Sequence, residues 1–367
     1  MIQQQERINK LKSDLINENI DLAIIMDPAN IFYFTGFNSN PHERFLAFTF
    51  EPSSEKFTLF VPALDKEAAL NESIIDDVVP ISDEEDPFSI LNNHITTKIK
   101  SIGVETSYMS MFRHQELQKI FELATYTNIE PFINNQRIYK SRIEIEYLQE
   151  AVDIIEKVLF EGIKKVKVGM TELELTGQLE MLMKKFGAIG PSFATIVLSG
   201  EKSALPHGVP GERKFQNGDF LLIDFGVVTK NGYCSDITRT FIIGEATEKQ
   251  KKLYNIVLSS NQAGIDSVKA NIALKHFDLT ARKVIEDSGY GEYFNNRIGH
   301  GLGIEIHEAP SIHQNNEDIA KPGLFFTIEP GIYIPSYGGI RIEDEVYINE
   351  EGKAEVLTSF PKELKIL

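Results

Sequence analysis

The run Phe220-Leu221-Leu222-Ile223-Asp224-Phe225-Gly226-Val227-Val228 sets one carboxylate inside an otherwise apolar strand. Burying an ionised carboxylate without a partner is costly, so Asp224 requires a cation, a set of donors or a bend that exposes it. Asp236 follows twelve positions later, with Lys230-Asn231-Gly232 between them as a hairpin connection. A strict two-residue Asn231-Gly232 turn would pair odd with even positions and put the two acids on opposite faces. A longer loop or a bulge gives the even register, in which both acids share one face. The longer connection is the expectation.

Downstream the construction recurs. Strand-like runs at 324–334 and 340–348 carry Glu329, in Ile328-Glu329-Pro330-Gly331, and Glu343, in Arg341-Ile342-Glu343-Asp344. Each hairpin follows two helical stretches. Ser141 with Glu144 and Thr171 with Glu174 read as capping boxes for the first pair, and Thr247 with Gln250 for the third helix. Asp278 is expected to open a fourth, stopping at Gly289. Two helices and a hairpin, twice over, indicate a domain of two related halves over 141–367. Before it, helix and strand alternate over 1–127, with strands expected at 22–26, 45–50, 57–61 and 101–105, which indicates a small α/β domain. The polar stretch 128–140, with Pro131 and Asn134-Asn135, reads as the linker. The fold class is α+β.

The chain has 367 residues, 42% of them apolar, enough for two domains with sizeable cores. A net charge of −17 argues against a nucleic-acid partner, which needs a basic face. The single cysteine, Cys234, excludes an intrachain disulfide and reads as a packed residue. The polar start Met1-Ile2-Gln3-Gln4-Gln5-Glu6 lacks the features of a signal peptide, and no apolar run reaches the ~18 residues of a membrane span. The expectation is a cytoplasmic protein with no membrane partner.

Four acids on the inner faces of two hairpins repel one another unless cations lie between them. His300, between Gly299 and Gly301, adds an imidazole where small neighbours allow close backbone approach. Asp224, Asp236, His300, Glu329 and Glu343 thus form an oxygen-rich set suited to manganese, cobalt or zinc. Four carboxylates roughly balance two divalent ions, and metal-assisted hydrolysis is the natural chemistry. His207, in Leu205-Pro206-His207-Gly208, and His307, in Glu305-Ile306-His307-Glu308, are candidate donors to a developing oxyanion. Arg341 shares a strand face with Glu343.

The segments around Asp224, Asp236, His300, Glu329 and Glu343 resemble, in order and spacing, the five ligand motifs of the pita-bread metallopeptidases. Over its whole length the chain is similar to the Xaa-Pro peptidases of that family. Asn40-Pro41-His42-Glu43-Arg44 and Phe60-Val61-Pro62-Ala63-Leu64 point to the bacterial Xaa-Pro dipeptidases. The resemblance implies a creatinase-like C-terminal pita-bread domain and two metal ions per chain, with manganese the usual activator. Asp236 and Glu343 would bridge the metals, a metal-bridging hydroxide would attack the peptide carbonyl, and Glu329 would shuttle the proton. His207 and His307 would hold the substrate, an Xaa-Pro dipeptide, and a homodimer is the usual assembly.

One position departs from the pattern. The family commonly has histidine four residues before the metal-binding one, and here Asn296 stands there, unable to carry a proton. Arg297, Phe193 and His42 are further candidates for substrate selectivity. An aminopeptidase acting on longer Xaa-Pro peptides is the neighbouring alternative. A non-catalytic binding module on the same scaffold is the remote one, since it has no reason to keep four repelling acids.

Overall fold

The computed structural model describes residues 2–95 and 97–367, and the chain divides between Gln136 and Arg137 into two units. In the first, strands β1 (Leu22–Ile25), β2 (Ala47–Glu51), β3 (Lys56–Pro62), β4 (Val78–Ile81), β5 (Ser101–Val104) and β6 (Thr125–Asn128) form one sheet in the order β4-β3-β2-β1-β5-β6. It is mixed, with β1 antiparallel to β2 and parallel to β5. Every residue of β1 is buried, as suits a central strand covered on both faces. Helices α1 (Ile2–Asn17), α2 (Pro28–Thr35), α3 (Lys66–Glu72), α4 (Pro87–His94) and α5 (Met111–Ile120) alternate with the strands. Asp27 and Asp86 cap α2 and α4, each followed by a proline preset for the first turn.

The four expected strands are all present. The sheet has two more, β4 and β6, and both are edges. Pro80 in β4 and the polar Thr125-Tyr126-Thr127-Asn128 of β6 are tolerated there and conceal the strand pattern. The stretch 128–140, expected as a linker, is mostly helix α6 (Glu130–Ile138), with Pro131 in the first turn where its missing N–H is not needed. The division of the chain falls inside that helix.

In the second unit, α7 (Arg142–Ile163), α8 (Glu172–Lys185) and α9 (Glu248–Ser267) each begin with a reciprocal capping box at the expected pair. α7 buries Leu148, Val152, Ile155, Leu159 and Ile163 on one stripe, each contributing about 1.5–3 kcal/mol of burial. Helix α10 (Lys275–Asp287) starts three residues before the expected Asp278. That carboxylate is no cap. It is buried, pairs with Arg282 at 2.7 Å and accepts from Ile298 N at 3.0 Å.

The first-half strands are β7 (Gly190–Pro191), β8 (Ile196–Ser199), β9 (Phe220–Phe225), β10 (Val227–Val228) and β11 (Ile237–Ile242). The second half has β12 (Gly299–Gly301), β13 (Glu308–Ile312), β14 (Phe325–Ile328), β15 (Gly331–Ile334), β16 (Gly338–Arg341), β17 (Asp344–Ile348) and β18 (Ala354–Val356). β8 pairs with β9 and β9 with β11; β12 pairs with β14 and β14 with β17, all antiparallel. Each sheet has its own core, lined by α7 and α8 in one half and by α9 and α10 in the other. The two halves expected from the pattern are therefore visible in the topology.

Candidate metal centre

In the first hairpin Thr238 pairs with Asp224 and Ile237 with Phe225, and the same register continues through Val228↔Cys234 and the Thr229 N bond to Tyr233 O. The connection is the loop 230–232, closed by Gly232 at φ +77. It is longer than two residues, as the shared face of Asp224 and Asp236 requires, and the left-handed Gly232 closes it as a glycine bulge.

The second hairpin keeps one register from Phe325↔Tyr347 to Ile328↔Asp344 and resumes it at Gly331↔Arg341. Glu329 and Glu343 lie opposite each other at the interruption. Pro330 has no N–H for the ladder, and the neighbouring amides turn elsewhere. Glu329 N donates to Ile298 O at 2.7 Å, and Glu343 N donates to Thr238 O at 3.1 Å. The break thus ties the two hairpins and β12 together at the acids. Asn261 Nδ2, from α9, donates to the carbonyls of Ile328 and Ile342 on either side.

His300 sits on β12, where the flanking glycines are required. A Cβ on Gly299 would lie 1.8 Å from Thr327 O, and one on Gly301 2.2 Å from Ala309 O. Its Nε2 lies 3.5 Å from Glu329 Oε1 and 3.7 Å from Asp236 Oδ2. Nδ1 lies 3.1 Å from Gly301 O, which fixes the proton there and turns the Nε2 lone pair towards the acids. Burial, reinforced by His307 and Arg297, pushes the imidazole pKa down to about 3, so the ring is neutral.

The acids show what this crowding costs. Burial and then repulsion from Glu343, Asp224 and Glu329 lift Asp236 well above the usual carboxylate range. Burial and then Glu329 and Asp224 do the same to Glu343. Glu329 is pushed up to about 7 by burial, with Arg341 opposing and Asp224 adding to the rise. Arg341 bonds Asp224 Oδ2 directly, Thr238 Oγ1 at 3.0 Å and Tyr333 Oη at 2.7 Å. Thr238 Oγ1 in turn donates to Glu343 Oε2 at 2.6 Å.

All five expected ligands line a single cavity of about 380 Å³, together with His207, His307, Asn296, Arg297, Arg341 and Phe193. His307 packs edge-on against His300 with ring centres 4.4 Å apart. Arg297 donates to Ser311 Oγ at 3.0 Å. Asn296 Nδ2 turns back onto Arg297 O at 2.9 Å, while its Oδ1 is buried without a hydrogen-bond partner. His42 belongs to the other unit, where it is an exposed residue at φ +53.

Residues 146–350 match metallopeptidase family M24, and residues 7–139 match the creatinase/prolidase N-terminal domain. The chain belongs to metallopeptidase family M24. Solved structures similar to this M24 chain include an Xaa-Pro dipeptidase from Bacillus anthracis, 33% identical, covering 99% of this chain and 100% of that one at a TM-score of 0.91. The prolidase from Pyrococcus horikoshii OT3 is 36% identical, covers 98% and 99%, and superposes at 0.90. The X-Pro aminopeptidase from Thermotoga maritima MSB8 is 33% identical, covers 95% and 98%, and superposes at 0.86.

M24 membership implies divalent metal ions, and the residues present fit them. Asp236, His300 and Glu343 offer ligand atoms all within 4.8 Å of one another. Asp236 Oδ1 is buried with no hydrogen-bond donor, an arrangement that a cation would satisfy. Tyr333, which lines the cavity of this M24 chain, and Thr238, which donates to Glu343, were not anticipated. Tyr333 shares strand parity with Glu329, and Thr238 with Asp236, so the period-two rule could have found both. Cys234 takes no part in the site. It is buried, its thiol donates to Ile304 O at 3.3 Å, and burial holds its pKa far above the reactive range. Among the described residues no helix is long and apolar enough to cross a membrane.

Proposed function

We propose that this M24 chain is a metal-dependent Xaa-Pro dipeptidase. The observation that carries the reading is the convergence of four acids and one neutral histidine on one cavity, with His207, His307 and Arg297 around them. The cavity lies at the small end of the ~300–1,000 Å³ usual for ligand sites, which suits a dipeptide. Similarity to an Xaa-Pro dipeptidase and a prolidase over nearly the whole chain supports the substrate class.

Asp224, Asp236, His300, Glu329 and Glu343 would hold two divalent ions, manganese foremost. Such ions supply Lewis-acid polarisation and lower the pKa of water. Glu329 accepts a proton from the attacking water and delivers it to the prolyl nitrogen, which must gain one as the C–N bond breaks. His207 and His307 donate to the carbonyl oxygen as it becomes an oxyanion. This division of labour suits an Xaa-Pro bond, a tertiary amide with no N–H for the enzyme to grip. Arg297 supplies positive charge towards the substrate carboxylate, Arg341 holds the acidic ligand Asp224 in place, Phe193 gives an apolar wall, Asn296 a polar contact, and His42 a contact contributed within a homodimer.

The Thermotoga maritima X-Pro aminopeptidase, at equal identity to the Bacillus anthracis enzyme, favours a second reading, removal of one residue from longer peptides. Hydrolysis of Ala-Pro beside Ala-Pro-Ala by protein stripped with chelator and reloaded with manganese separates them. Cleavage of the dipeptide alone is expected. Cleavage of the tripeptide would move the assignment to the aminopeptidase, and no turnover of either would overturn the peptide reading.

A further inference from the structure

His207 and His307, the cavity histidines outside the proposed metal set, each ride on a loop, and each loop closes on one buried glutamate that no catalytic role uses. Glu172, the first residue of α8, has a fully buried side chain. Its Oε1 accepts from Ser199 N at 2.8 Å and Ser199 Oγ at 3.0 Å, and its Oε2 accepts from Lys202 Nζ at 2.5 Å and Gly211 N at 2.9 Å. Ser199 and Gly211 are the two ends of the segment that carries His207, so one carboxylate clamps both. Within that segment Gly208 N bonds Leu205 O at 2.8 Å, which shapes the turn around the histidine.

Glu308 does the same in the second half. Its Oε1 accepts from Ile304 N at 2.9 Å, Glu305 N at 3.1 Å and Arg137 Nη2 at 2.5 Å, and its Oε2 from Lys140 Nζ at 2.8 Å. The carboxylate is only 4% exposed. It folds the turn 304–308 back on itself, and His307 is the residue next to it. Every partner of both glutamates is a donor, and most bonds run to a charged group or to a backbone amide that would otherwise be buried unpaired.

We propose that Glu172 and Glu308 are positioning residues, each fixing through its loop the imidazole of one histidine, His207 and His307 respectively. This rests on the reading that both histidines meet the substrate. An amide in place of either carboxylate presents an NH2 to a ring of donors, so the clamp loses one side while the size of the side chain is kept. The loop then relaxes, and a displacement of ~1 Å at a group that meets the reacting carbonyl can cost about 10²-fold in rate.

Double-mutant cycles on Ala-Pro hydrolysis test this, with Glu172→Gln and Glu308→Gln each placed in the parent, His207→Ala and His307→Ala backgrounds. In the parent each glutamine variant should lower kcat/KM about 10–100-fold with unchanged metal content. Glu172→Gln should have no further effect once His207 is alanine and its full effect when His307 is. Glu308→Gln should show the mirror pattern. Losses that add in every background would overturn the positioning role while leaving the histidines catalytic. Alanine variants of both histidines that retain parental activity would overturn that reading of the site and the positioning role with it. Should a glutamine variant fail to fold, Lys202→Met and Lys140→Met loosen the same clamps from their charged partners, and the same crossed pattern is required of them.

Discussion

Gly299→Ala measures how tightly the fold holds His300. A methyl group at this position would lie 1.8 Å from the backbone oxygen of Thr327, where real Cβ contacts essentially never fall below 3.0 Å. About 1.2 Å must be made up, and because the obstacle is backbone, β12 itself has to move away from β14. His300 is the next residue on that strand. Overpacking of this kind costs about 1–3 kcal/mol, occasionally more, or roughly 2–4 °C in Tm per kcal/mol for a unit of this size. A ~1 Å shift of a group in the reacting cluster can cost about 10²-fold in rate. Initial rates of Ala-Pro hydrolysis with manganese in excess, read beside metal content and a thermal melt, should show all three losses. Gly177→Ala is the matched control. That glycine lies within α8 with no atom within 4 Å of its added Cβ, so alanine there should stabilise by about 0.5–1 kcal/mol with parental activity. A Gly299→Ala enzyme with parental rate and metal content would refute the claim that close backbone approach places the imidazole.

Asn296→His should raise kcat/KM on Xaa-Pro dipeptides, because an imidazole can supply the proton that an asparagine cannot; an unchanged or lower rate would mean that the asparagine is adapted to its substrate. Although burial alone would raise it, Lys140 and Arg137 hold the Glu308 carboxyl at about 2 against an ordinary 4.5. A depressed carboxylate stabilises the fold above its unfolded pKa and loses that stabilisation as pH falls towards the folded one. Stability should therefore drop by roughly 3 kcal/mol between about pH 5 and pH 2 on this group's account, and the acid limb of a urea-melting series should flatten in Glu308→Gln. Arg239 is buried with Asp344 at 2.8 Å and also donates to Phe360 O at 2.9 Å; Arg239→Met should cost about 1.5–3 kcal/mol in chemical denaturation, since it removes a charged hydrogen-bond partner while Lys362 at 2.9 Å still balances Asp344.

The convergence of the four acids and His300 was legible because their chemistry contradicts their surroundings. An acid such as Asp224 inside an apolar strand has few explanations, and strand parity alone brings Asp236 to its face and sets Glu329 opposite Glu343. The capping boxes were equally readable, since a reciprocal Ser-x-x-Glu contact is local. Features that depend on distant partners were not. Asp278 looked like a helix cap and is instead committed to Arg282 and Ile298. The stretch 128–140 looked like a linker because its polar residues serve partners far along the chain, Arg137 and Lys140 among them. Edge strands β4 and β6 carry proline and polar residues that an interior strand could not, so alternation gave no sign of them.

The most direct test of the central claim is metal stoichiometry read alongside activity. Chelator-stripped protein titrated with manganese should regain Ala-Pro hydrolysis as it takes up two ions per chain, and Asp236→Ala should take up fewer and stay inactive. Activity that persists in excess chelator, or an Asp236→Ala enzyme that binds two ions and turns over normally, would contradict the assignment of these five residues as the metal centre.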